Sequence, residues 1–173
     1  MNQPLAYFLT FTCYGAWLHG QTAGSVDRQH NAPGTPLVPA DETRRSREQQ
    51  RMDQPPYHLD TPRRRIVRQA IQEVCVHRPW ELLALHIRAS HVHVIVRAEA
   101  APERVLNDFK SYASRALNAA GIDPAECKRW TRHGSTIYLW TEASVEEKVH
   151  YVLHEQGAPM EVYVAPSADK TAP

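Results

Sequence analysis

Two histidines stand one residue apart in the stretch Ser90-His91-Val92-His93-Val94-Ile95-Val96-Arg97. β-Branched residues at that density indicate a strand. Side chains alternate along a strand, so His91, His93 and Ile95 share one face, while Val92, Val94 and Val96 share the other. A rise of about 3.3 Å per residue puts the two histidine backbones about 6.6 Å apart, close enough for both imidazoles to converge on one cation. The valine face belongs beneath helices, which leaves the histidine face open. One histidine there would be a satisfied polar residue, but two on one face suit a metal site.

A reacting group and a third donor are then needed. Ser144-Val145-Glu146-Glu147-Lys148-Val149-His150-Tyr151-Val152-Leu153-His154-Glu155-Gln156-Gly157 reads as a helix over 145–156. Ser144 and Glu147 have capping-box spacing, and Gly157 closes the helix. Val145, Val149, Val152 and Leu153 form its buried face, and Glu147, Tyr151, His154 and Glu155 form the other. A tyrosine beside metal ligands can serve as a covalent nucleophile. The plainer alternative is a helix tyrosine that packs its ring and wets its hydroxyl.

The elements that must carry these groups follow from periodicity. Leu5 to Cys13 is a strand. Gly20 to Pro56 reads as an insertion: a surface loop to Pro39, then a short polar helix from Asp41 that Pro55 and Pro56 stop. Asp60 or Thr61 caps a firmer helix with Pro62 in its first turn and Ile66, Val67, Ala70, Ile71 and Val74 at helical spacing. Trp80 to Arg88 is a strand in which Leu83, Leu85 and Ile87 alternate with Ala84, His86 and Arg88, and it forms a hairpin with the histidine strand. Pro102 to Ala120 is a helix ended by Gly121, and Gly134 to Thr141 a further strand. The order βαββαβ predicts an α+β, ferredoxin-like antiparallel sheet with helices on one face, plus the C-terminal tyrosine helix. Residues 1–164 form one domain with the insertion at about 20–56, and 165–173 a disordered tail.

Composition narrows the class. The 173 residues carry a net charge of +1, too little for a protein that coats nucleic acid indiscriminately. Sixteen of the 20 basic residues are arginine, in clusters at 44–51, 63–68 and 128–132, and the planar guanidinium fork suits phosphate. Solvated helix faces explain such clusters equally well. The three cysteines are far apart and lack CxxC spacing, which indicates buried or incidental thiols rather than a disulfide or zinc framework. No apolar run approaches the roughly 20 residues of a membrane span, so a cytoplasmic protein is the expectation.

Taken in order, the segments "YFLTFTCYGAWLHG", "SHVHVIV" and "YLWTEASVEEKVHYVLHEQG" resemble the HUH single-tyrosine transposases of small insertion sequences and the REP-associated tyrosine transposases. The pattern is histidine-hydrophobic-histidine on a central strand, then a tyrosine on a later helix followed by a glutamine. The resemblance implies cleavage and rejoining of single-stranded DNA at hairpin-bearing sites. It implies a magnesium or manganese ion on His91 and His93, with Tyr151 forming a 5′-phosphotyrosine link. It also places Arg63, Arg64, Arg88, Arg97, Lys110, Arg129 and Arg132 against DNA, and leaves monomer and helix-exchanged homodimer both open.

The third ligand stays open at this stage. In the best-known relatives the glutamine follows the tyrosine by four residues, a position held here by Glu155. Gln156 lies about 500° round the helix from Tyr151, roughly 140° off its face, unless the helix ends early. Helical geometry therefore favours Glu155 and the resemblance favours Gln156. Three other readings compete: a histidine-triad nucleotide hydrolase, whose third alternate position is here Ile95; a domesticated DNA-hairpin-binding protein without transposition activity; and a structural zinc site, which two histidines without nearby cysteines fit poorly.

Overall fold

The computed structural model describes residues 3–18 and 40–166. The loop expected to Pro39 and the tail from 167 lie outside the described residues. Nine elements follow one another: β1 (Ala6–Thr12), α1 (Glu42–Gln50), α2 (Thr61–His77), β2 (Glu81–Ile87), β3 (His91–Arg97), α3 (Pro102–Ala119), β4 (Ser135–Leu139), α4 (Glu142–His154) and β5 (Glu161–Val164). The strands form one antiparallel sheet in the order β4-β1-β3-β2-β5. Its first four strands are the ferredoxin-like arrangement, with β3 near the centre.

The alternation of β3 sorts the molecule into three layers. Val92, Val94 and Val96 join Leu9, Phe11, Leu85 and Ile87 under α2 and α3. Ile95 joins Ala6, Phe8, Leu83, Ala84 and Leu139 under α4. The histidine face is thus covered in part by α4, not left open. Burial of Val145, Val149 and Val152 at about 1.5–3 kcal/mol per side chain is what docks that helix.

Local signals explain most boundaries. The Asp60 carboxylate accepts from the Arg63 amide at 3.0 Å and opens α2, with Pro62 in the first turn. Gly121 at φ +65° follows the end of α3. The cap of α4 differs from the expected one: Thr141 and Ser144 bond each other's backbone amides, so the helix starts three residues before Val145.

Two features depart from simple alternation. A register shift between Leu82 and Ala84 puts Leu83 and Ala84 on the α4 side together, so Leu83 does not share a face with Leu85. β5 was not anticipated; it pairs with the outer edge of β2, and Ala165, expected in the tail, is buried and donates its amide to the Leu83 carbonyl. Cys13 and Cys75 are buried, and that burial pushes both thiols up to about 12. Among the described residues no helix is long and apolar enough to cross a membrane.

Candidate active site

The imidazoles of His91 and His93 project from β3 toward α4 with ring centroids 4.8 Å apart. Their neighbours come from both flanking strands: His93 faces Thr10 of β1 and His86 of β2, and His91 faces Thr12. The Thr10 hydroxyl lies 2.8 Å from His93 Nδ1, and the Ser90 hydroxyl 3.1 Å from His91 Nδ1. A hydroxyl can donate or accept, so Thr10 satisfies His93 in either tautomer and leaves Nε2 for another task.

That Nε2 meets the side-chain oxygen of Gln156 at 3.0 Å. The contact exists because α4 stops at His154. Glu155 at its C-cap has φ −107° and ψ 13°, and Gly157 turns the chain at φ +75°. The helical angle that would carry Gln156 away from Tyr151 no longer applies beyond the cap. Glu155 is not part of this group; its carboxylate pairs with His150 at 3.1 Å, and both side chains are over half exposed.

The turn bearing Gln156 is held from β2. His86 is fully buried, and its Nε2 accepts from the Met160 amide at 3.2 Å. Nδ1 therefore carries the proton and donates to the Val152 carbonyl at 2.9 Å. One neutral imidazole thus links the end of α4 to the approach of β5. Arg88 donates to the Ala158 carbonyl at 2.6 Å between those two points. His86 received no role from the sequence; its only signal there is strand parity with the histidines opposite.

Within this chain Tyr151 lies beside the imidazoles. Its ring is 6.3 Å from that of His93 and 6.0 Å from Phe8, and the Lys148 ammonium lies 5.6 Å from its centroid. Among the described residues nothing hydrogen-bonds the Tyr151 hydroxyl. Burial lowers the affinity of the nearby imidazoles for protons: His86 and His91 lie below 6.5, and His93 falls to about 4, with His91 adding to its shift. Neutral imidazoles at ordinary pH are the form that binds a metal.

The donor types suit a divalent cation. Two adjacent ligands of an octahedral ion at about 2.1 Å stand about 3.0 Å apart, which matches the separation of His93 Nε2 and Gln156 Oε1. Among the described residues no three His, Cys, Asp or Glu side chains form a metal-binding cluster; the third donor of this set is an amide. All three donors are neutral, so a cation held by them keeps its charge for an anionic substrate.

Most of the basic residues expected against DNA are engaged within the fold. Arg63 and Arg129 both bind Asp123, which also accepts from the Tyr57 hydroxyl, and Arg129 is buried. Lys110 collects the carbonyls of residues 131–133, Arg97 pairs with Glu81 and Glu142, and Arg64 bonds Leu59 and Thr61. Arg88 lies at the site in the turn-holding role above. Arg132 is exposed.

Residues 57–156 match a family model described as IS200-like transposase. A solved REP-associated tyrosine transposase bound to a REP hairpin is similar over 88% of this chain and 67% of its own, at 14% identity and a TM-score of 0.52. A transposase candidate from Deinococcus radiodurans R1 is more loosely similar, over 91% of this chain and 95% of its own, at 13% identity and a TM-score of 0.43. No curated protein matches the chain.

Proposed function

The chain belongs to the IS200-like transposase family, and on that premise we propose that it cleaves and rejoins single-stranded DNA through a covalent bond to Tyr151. The observation that carries this reading is the meeting, within one chain, of the Tyr151 ring, two neutral imidazoles and the Gln156 amide oxygen. A magnesium or manganese ion held by His91, His93 and Gln156 would polarise a non-bridging phosphate oxygen.

The Tyr151 oxygen attacks the phosphorus in line. A Tyr151 O–P bond forms as the bond from phosphorus to the 3′-oxygen breaks, and the phenolic proton ends, through water, on the departing 3′-hydroxyl. The 5′-phosphotyrosine link conserves the phosphodiester energy, so a second 3′-hydroxyl reverses the step and joins strands without ATP. Phe8 packs against both the tyrosine ring and the His93 imidazole. Hairpin-bearing DNA is the substrate we propose, in keeping with the REP hairpin bound by the similar transposase.

The test is a denaturing gel after incubation with manganese and a labelled hairpin oligonucleotide with single-stranded flanks. A protein–DNA adduct is expected from the parent chain and none from Tyr151→Phe. An adduct that survives in the phenylalanine variant removes Tyr151 from the role.

A further inference from the structure

A cleft of about 640 Å³ opens at the end of the sheet where β1 leaves and β3 begins. One wall follows β1 and carries Tyr14 and Trp17; a second, after α1, carries Arg51 and Met52; a third precedes β4 and includes Thr131 and Arg132. These walls are tied together. Gly15 sits at φ +72° so close to the second wall that a Cβ would fall 2.3 Å from Met52 Cε and 3.0 Å from Pro56 Cα. The Tyr57 amide donates to the Tyr14 carbonyl, and Gln54 exchanges two hydrogen bonds with the backbone of Lys128.

The contents of the cleft suit one kind of ligand. Trp17 is half exposed, and among the described residues no aromatic ring packs on it. Arg51 and Arg132 are exposed and have no ion pair among the described residues. An aromatic face beside exposed guanidinium groups is how proteins hold unpaired bases and their phosphates. One wall of the cleft is bonded to the histidine side of the sheet: the Thr131 hydroxyl is 2.9 Å from that of Thr12, the register partner of His91.

We propose that this cleft takes an unpaired base of the strand flanking the scissile phosphate, stacked on Trp17, with its phosphates held by Arg51 and Arg132. This rests on the single-strand DNA reading of the preceding section. A paired base, already stacked within a duplex, does not enter, so the cleft distinguishes single-stranded flank from hairpin stem.

The test uses the full chain with Tyr151→Phe, so that binding is read without cleavage. Fluorescence anisotropy compares an intact hairpin oligonucleotide with copies carrying one abasic site at successive flank positions. One position is expected to cost about tenfold in affinity when its base is removed. Trp17→Ala is expected to weaken intact DNA by a similar factor and to abolish the penalty at that position alone, while Trp17→Phe retains it. Arg51→Gln and Arg132→Gln should each reduce the salt slope by about one. Undiminished binding by Trp17→Ala, or a penalty that adds to every abasic site equally, overturns the assignment and leaves the cleft to another occupant. Because no cleavage is read, absence of adduct formation by the parent would overturn the function while leaving this result intact; failure to bind single-stranded flanks at all overturns both.

Discussion

The side-chain oxygen of Gln156 lies 3.0 Å from Nε2 of His93, across 63 residues of sequence. A strand and the turn after a helix are brought to the spacing of two ligands on one octahedral ion. Glu155, the neighbour with the better helical angle, points to His150. The turn therefore brings an uncharged amide to His93, rather than the carboxylate one residue away.

Gln156→Ala is expected to raise the manganese concentration needed for half-maximal cleavage by at least the roughly 10–100-fold that follows loss of a supporting partner. Gln156→Glu should tighten manganese yet slow cleavage, because the added charge opposes the phosphate. Glu155→Gln should change neither. A titration in which Glu155→Gln behaves like Gln156→Ala would reverse the choice of ligand.

The two histidines should differ in what else they support. His93 is 7% exposed and contacts Thr10, Phe8 and Gln156, whereas His91 is only partly buried. Both alanine variants should abolish adduct formation. Urea denaturation should then find His91→Ala near the parent, and His93→Ala weaker by about 1–3 kcal/mol, the range for partners left unsatisfied. Cleavage by either variant in the presence of chelator would remove the metal role.

Much of this arrangement was legible in the sequence because it obeys fixed periods. The parity of β3 separated His91 and His93 from Val92, Val94 and Val96, and the 3.6-residue period isolated Val145, Val149 and Val152. Gln156 was legible only through the family resemblance and not through helical geometry, since 100° per residue holds only inside a helix and α4 ends two residues earlier. The bulge at Leu82/Ala84 broke the same kind of rule in β2. Arginine identity is ambiguous for another reason. Arg63 and Arg129 carry the residue type that phosphate needs, but their partner Asp123 follows Gly121 in a segment with no periodic signal, so nothing local reveals that their charge is consumed.

Asp123 accordingly should govern stability more than DNA affinity. Its carboxylate is 5% exposed and accepts from Arg63, Arg129 and the Tyr57 hydroxyl. Asp123→Ala leaves the nearly buried Arg129 side chain without its counter-charge, at a cost of about 3–5 kcal/mol. Calorimetry should record a large fall in Tm. If the variant melts with the parent but loses DNA binding, Arg63 and Arg129 face DNA after all.

Acid should weaken the metal-free fold in a window that the imidazoles set. His86, His91 and His93 are held below 6.5, with burial the leading cause and the Arg88 charge contributing to each; His93 lies at about 4. In the unfolded chain they return to about 6.5. Between these values the unfolded state binds more protons, so stability is fully present above pH 6.5 and declines as pH falls toward 4. Asp123 has the opposite charge type but the same sign of effect: its carboxyl is also lowered, burial opposing and the bonds from Tyr57, Arg63 and Arg129 prevailing. Its contribution fades only below its unfolded value of 3.8, so the two windows separate. Urea midpoints measured in chelator should therefore slope downward from pH 6.5 to 4. His93→Gln should flatten the most acidic part of that slope, because the group with the lowest proton affinity is gone. A midpoint constant across the window, or an unchanged slope in the variant, would mean that the imidazoles are not held neutral by the fold.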